Sequence, residues 1–416
     1  MTDEAQRPDG DHPRLERQLG TTDAVVMGLG SMIGAGIFAA LAPAAAAAGT
    51  GLLIGLAAAA VVAYLNATST ARCAARYPES GGAYVYGRNR LGEFWGYVAG
   101  WGFVVGKTAS CAATALIVGC YAWPAHAHIV AVAAVLAVIT LNYTGIQKSA
   151  FATRIVVAVV LAALAAIAIL ALTSRSTDFG RLHIGATASA HGILQAAGLL
   201  FFAFAGYARI ATLGEEVRDP GRTIPRAIPL ALGIALIAYA VVAVAALAVL
   251  GSGRLARSAA PLADVARATG AAGFEPVVRV VAVIAALGSL LSLILGASRT
   301  TFAMARDHYL PQQLSAVHPR FKTPYRAEIA IGVVVAVLAG TADVRGAIGF
   351  SSFAVLVYYA IANASAWTLG RRIVPTLGFI GCVVVAAALP LNSVLSGAAV
   401  LLVGATAYAV RRGRSA

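Results

Sequence analysis

The sequence predicts an all-α integral membrane protein of about twelve transmembrane helices, on three observations. Hydrophobic residues make up 60% of the 416 residues and charged residues only 12%, whereas a soluble domain averages about 25% charged; the mean hydropathy is +0.81. The apolar residues arrive in blocks about 20 long, the length that crosses about 30 Å of hydrocarbon as a helix. The basic residues gather in short clusters between those blocks.

Taken in order, the spans are expected at 24–48, 52–74, 94–120, 129–143 and 151–173, then at 193–213, 228–250, 277–303, 327–341, 348–369, 374–389 and 391–410. Helix 9 is short, and the turn between helices 11 and 12 rests on Pro390 and Asn392. Eleven spans is the alternative count, because boundaries read from sequence shift by a few residues. An even count puts both termini on one side of the bilayer. With the N-terminus in the cytoplasm, about 23 Lys and Arg fall inside and about 7 outside, a strong positive-inside bias. The inside clusters are Arg72/Arg76/Arg88/Arg90, Arg218/Arg222/Arg226, Arg320/Lys322/Arg326, Arg371/Arg372 and Arg411/Arg412/Arg414. The expectation is a multi-pass cell-membrane protein with cytoplasmic tails at 1–20 and 411–416 and lipid as its surroundings. No cleavable signal is expected, since the first residues are polar and carry Pro8 and Pro13.

A net charge of +14 raises nucleic acid as a partner, but the cations lie in loop clusters rather than one stripe, and none is expected. Cys73, Cys111, Cys120 and Cys382 have no metal-ligand spacing and read as buried small residues. No cofactor or metal is expected. The loops near 174–191, 252–275 and 304–326 have room for a short helix each but not for a soluble domain.

Helix 1 contains GLGSMIGAGIF, with Gly28, Gly30, Gly34 and Gly36, and helix 6 contains Gly198 and Gly206. Dividing the first ten helices into two fives gives units at 21–175 and 190–370, with helices 11 and 12 at 371–410. Helices 1 and 6 then hold equivalent opening positions. Interrupted spans at matching positions point to a transporter site built on inverted repeats; the alternative is that these glycines only let helices pack closely. A break has a chemical consequence. The second half-helix offers free N–H groups to an anion and the first leaves free carbonyls for an ammonium. Two such breaks side by side suit a zwitterion without any charged side chain.

At these residues the sequence resembles the amino acid–polyamine–organocation superfamily of permeases, with the LeuT-type fold. The likeness runs through LERQLGTTDAVVMGLGSMIGAGIF at 15–38, RYPESGGAYVYGRNRLGEFWGYVAGW at 76–101, FFAFAGYARIATLGEEVRDPGRTIPRAI at 201–228, AMARDHYLP at 303–311 and HPRFKTP at 318–324. The resemblance implies a 5+5 inverted repeat with helices 1 and 6 discontinuous. It also implies that the amides of Gly34, Ala35 and Gly36 meet a substrate carboxylate. The carbonyls of Met32, Ile33, Phe202, Ala203 and Ala205, next to Gly206, would meet the amine. Phe202 corresponds to the aromatic lid of relatives; its alternative reading is a packing or lipid-facing residue.

Three positions depart from the pattern. Where relatives carry a Glu after the helix 6 glycine, this chain has Ala208 followed by Arg209. Where proton-coupled relatives carry a Lys on helix 5, it has Val160, with Arg154 nearby. Helix 3 instead carries Lys107, about 13 residues into its span, too deep to snorkel and costing roughly 2.5 kcal/mol or more unless paired or facing a cavity. Lys107 is therefore a candidate for coupling or substrate contact, with a structural hydrogen bond as the alternative. Arg209, Glu215 and Glu216 are candidates for a gate network, or for a plain cap on helix 6. No acid falls deep in a span, so a neutral substrate is expected over a cationic one.

The function expected is secondary transport of amino acids or related amines, with protons as the coupling ion considered. A solute sensor on the same fold is the alternative. A membrane-embedded enzyme lacks the constellation it would need. The sequence leaves open which amine moves, in which direction, and whether protons, sodium or exchange drive it.

Overall fold

A backbone in hydrocarbon has no water to bond with, so it pairs within itself, and the apolar blocks fold as helices. The computed structural model describes residues 19–77, 81–143, 150–183, 185, 188–211, 217–321 and 323–415. All its named elements are helical.

Helix 1 is built in three pieces, Thr21–Met32, Gly36–Ala39 and Leu41–Ala48. Helices 2 to 5 are Leu52–Arg76, Glu93–Ala122, Ala127–Tyr143 and Ala150–Thr173. Helix 6 runs Ala190–Phe204, tightens into a 3-10 turn at Ala205–Tyr207, and resumes at Ala208–Ala211. Helices 7 to 12 are Pro220–Arg257, Glu275–Arg306, Tyr325–Thr341, Val344–Trp367, Ile373–Ala387 and Leu391–Ser415. Short helices at Ala83–Leu91 and Pro261–Ala268 lie in the loops before helices 3 and 8.

Ten helical stretches among the described residues are long and apolar enough to cross a bilayer. Helices 9 and 11 are shorter, at 17 and 15 residues. Local signals set several ends. The Ser189 hydroxyl accepts from the Gly192 amide at 3.0 Å, capping helix 6. The Asp343 carboxylate accepts from the Arg345 and Gly346 amides at 2.9 Å, capping helix 10.

Burial separates centre from rim. In helix 3, 83% of the most apolar stretch is buried, against 22% in helices 4 and 12. Helix 3 packs on helices 8 and 10, while helix 1 packs on helices 5, 7 and 8 and on the 3-10 turn of helix 6. Ile129, Leu136, Ile237, Val280, Val337, Ile380 and Leu402 are exposed, as lipid-facing residues are in a multi-pass membrane protein.

Candidate functional site

The two interrupted helices cross in opposite directions and touch at their glycines. A side chain at Gly36 would overlap the Cα and Cβ of Ala203. One at Gly206 would overlap the Ser31 carbonyl and the Met32 amide. Only glycine admits such close backbone approach. Gly34 fits against Ser289 and the Ala285 carbonyl of helix 8, and Gly30 against Thr153 and Val157 of helix 5.

In helix 1 the backbone ladder runs to Ile33, whose amide donates to the Leu29 carbonyl at 2.8 Å, and resumes where the Phe38 amide donates to Ala35 at 3.1 Å. Among the described residues, the amides of Gly34, Ala35 and Gly36 take no backbone acceptor in between. These are the free donors expected for a carboxylate. They are covered here, since Met32, Ile33, Gly34, Ala35 and Gly36 are all buried.

Helix 6 supplies the complementary half. Its freed carbonyls are held by side chains from three other helices. Tyr239 of helix 7 donates to the Ala203 carbonyl at 3.1 Å. The Ala205 carbonyl accepts from the Lys107 ammonium at 3.3 Å and from the Tyr359 hydroxyl at 3.5 Å. Lys107 is 5% exposed, and its Nζ lies 5.8 Å from the centre of the Phe103 ring. Lys107 thus rests on the carbonyl expected to receive the substrate amine. Phe202 is buried in the last turn before the break.

A cavity of about 350 Å³ lies against this crossing, within the size of small-molecule sites. Ser31, Gly206, Phe103 and Lys107 line one part; Gly81, Arg299, Thr300 and Ala303 line another, near the basic end of helix 8. Lys107 is 14 residues beyond the start of helix 3, or about 21 Å along it, so the cavity runs deep. Arg209 joins the lining. No carboxylate is part of it among the described residues. On the opposite side of the crossing, Tyr121 ties helix 1 to the short helix at Pro261–Ala268. Tyr121 donates to the Phe38 carbonyl at 2.9 Å, accepts from the Leu262 amide at 3.2 Å, and meets the Phe38 ring edge-on.

The departures from the family pattern also have positions. Val160 is buried in helix 5. Arg154 is tied to Asp23 of helix 1, with its Nε 3.1 Å from Oδ1. Glu215 and Glu216 lie outside the described residues. Sequence reasoning missed Tyr239 and Tyr359, whose signal was a hydroxyl in an apolar span, and Arg299, hidden in a run of small residues. It also found no acid deep in a span. Glu328, the second residue of the span expected at 327–341, is fully buried.

The comparisons agree with this geometry. The family model described as amino acid permease matches residues 19–410. An uncharacterized transporter of Mycobacterium tuberculosis is 70% identical over 404 residues, covering 96% of this chain and 92% of its own. A branched-chain amino acid permease of Bacillus subtilis is 27% identical over 78% of this chain and 74% of its own. Cationic amino acid transporter 4 of Homo sapiens is 29% identical over 84% of this chain and 59% of its own. With helices 1 and 6 broken at the glycines that carry the resemblance, and the match running nearly end to end, the chain belongs to the amino acid permease family.

Proposed function

We propose that the protein is a secondary active transporter of small neutral amino acids, working by alternating access in the cell membrane with both termini cytoplasmic. In this reading 21–175 and 190–370 are the two inverted five-helix units, and the cavity faces the cytoplasm.

The observation that carries the substrate class is the charge of the cavity. Lys107, Arg209 and Arg299 line it without a carboxylate among the described residues. A cationic side chain entering there would meet the Lys107 and Arg299 cations, with no carboxylate among the described lining residues to offset them. A carboxylate is favoured, and the free amides of Gly34, Ala35 and Gly36 would hold it once helix 6 draws back from Gly36. The amine would go to the Ala205 carbonyl. Two ammonium groups repel at that distance, so Lys107 must leave the carbonyl or give up its proton when the substrate amine arrives. That exchange is the proposed coupling step.

The test is binding and uptake by purified protein in liposomes, screened first by thermal shift against an amino-acid library. Alanine, valine or leucine should outcompete arginine and lysine, and an inward pH gradient should drive accumulation. Arginine or lysine binding best would overturn the substrate class, and accumulation indifferent to the gradient would overturn the coupling.

A further inference from the structure

Glu328 is the one fully buried acid among the described residues, at 0% exposure in the first turn of helix 9. Neither of its carboxylate oxygens has a hydrogen-bond partner. The start of a helix favours an anion, yet no amide of that turn reaches these oxygens.

Its surroundings come from each element packed on helix 9. Helix 4 runs antiparallel to it, with Gly332 against Ile139 and Gly340 against Val132. The rings of Tyr143 and Tyr325 lie 6.3 Å apart at the same end. That register sets Asn142 level with Glu328. Asn142 is 5% exposed and its Nδ2 is also without a partner, as is the hydroxyl of Thr323 just before the helix. The loop adds His318, edge-on to Tyr143 and Tyr325 and tilted against Phe321, and Arg326 lies over the Tyr325 ring. From helix 3, Lys107 is turned to Ala205. From helix 8, which packs on helix 9, comes Arg299, two turns before the end of helix 8 that the loop joins to the start of helix 9; it donates no hydrogen bond to Glu328. Arg299 is exposed and lines the cavity.

A buried carboxylate with no donor from the protein is a costly group for a membrane bundle to hold, and taking up a proton lowers the cost. Arginine stays charged throughout. We propose that Glu328 is a protonation site of the transport cycle, carrying a proton while Arg299 serves the cavity and releasing it when Arg299 turns to pair with the carboxylate. The O–H bond of Glu328 breaks as the guanidinium arrives, and the proton leaves to the water beside the exposed arginine. When an incoming substrate carboxylate engages the exposed Arg299, before it passes on to the amides of Gly34, Ala35 and Gly36, Glu328 takes a proton back. Binding of substrate and of proton then favour each other equally, as linkage requires. The proposal rests on the cavity being the substrate site, but its first test does not.

That test is infrared spectroscopy of the full chain in liposomes across a pH titration, comparing wild type, Glu328→Gln and Arg299→Gln. Wild type should show the carbonyl band of a protonated carboxylic acid at neutral pH, and Glu328→Gln should lack it. In Arg299→Gln, which keeps Glu328 and does not depend on the first variant folding, the band should persist to a pH higher by ~1 unit or more, a tenfold gain in proton affinity. No neutral-pH band in wild type, or a band unmoved in Arg299→Gln, overturns the proposal. Leucine added to wild type should move the band as Arg299→Gln does. Leucine uptake with a stationary band overturns the shared arginine. A band that moves in Arg299→Gln, in a protein that transports no amino acid, supports the protonation site and overturns the transport reading instead.

Discussion

Replacing Lys107 with methionine removes a charge from the centre of the bundle, and its effect on stability follows from two opposing quantities. Holding a charge at that depth costs at least about 2.5 kcal/mol. The hydrogen bond of a charged donor to the Ala205 carbonyl returns about 1.5–3 kcal/mol. The two nearly cancel. The carbonyl is not orphaned by the change, because the Tyr359 hydroxyl remains 3.5 Å away. A methionine of similar reach sets its thioether near the Phe103 ring, a favourable contact. Lys107→Met should therefore unfold within about 1 kcal/mol of wild type, a change of a few degrees in Tm. The assay is thermal unfolding in one detergent, paired with uptake under an imposed pH gradient. Stability should hold while the response to the gradient is lost, and Lys107→Arg, which cannot shed its proton, should lose it too. A loss of more than about 3 kcal/mol, the size seen when a buried ion pair is broken, would mean that Lys107 is a structural tie. Accumulation that still follows the gradient in Lys107→Met would place coupling elsewhere.

Two further outcomes follow from the packing. Gly36→Ala and Gly206→Ala each drive a methyl into backbone of the opposite broken helix, so each should cost about 1–3 kcal/mol and abolish binding; Gly233→Ala, with open space around it in helix 7, should be neutral or stabilising, and equal Tm values for all three would refute the contact. Tyr121→Phe orphans the Phe38 carbonyl and the Leu262 amide, which should cost about 1–3 kcal/mol; an unchanged Tm would refute the tie.

Much of the architecture was legible in the sequence because hydrocarbon imposes a simple rule on it. Blocks such as 155–172 and 228–250 are apolar throughout, and no other solvent suits them. The breaks were legible because Gly34, Gly36 and Gly206 cluster where a continuous helix would want alanine or leucine. Their partners were not. Gly36 reads as a place where a side chain does harm, yet that the harm falls on Ala203 depends on how two helices far apart in sequence cross. Lys107 stood out as a charge in an apolar run, while its acceptor is a backbone carbonyl that no side-chain pattern announces. Glu328 was passed over for a related reason. Near the end of a span an acid normally reaches water, and only the packing of helices 4, 8 and 9 shows that this one does not.

The shortness of helices 9 and 11 has a consequence for the lipid around them. At 17 and 15 residues they rise about 25 and 22 Å, less than the roughly 30 Å of a typical hydrocarbon core. Helix 9 leans on helix 4 and helix 11 on helices 2 and 10, so the deficit falls on two separate flanks. At each flank the acyl chains must compress or splay to meet the helix ends. Beside helix 11, Arg371 and Arg372 stand where headgroups would be drawn inward, with the Arg372 guanidinium 4.2 Å from the centre of the Trp367 ring. The protein thus carries a pinched annulus with it, and thick, sterol-rich or long-chain bilayers would strain it where thin ones would not.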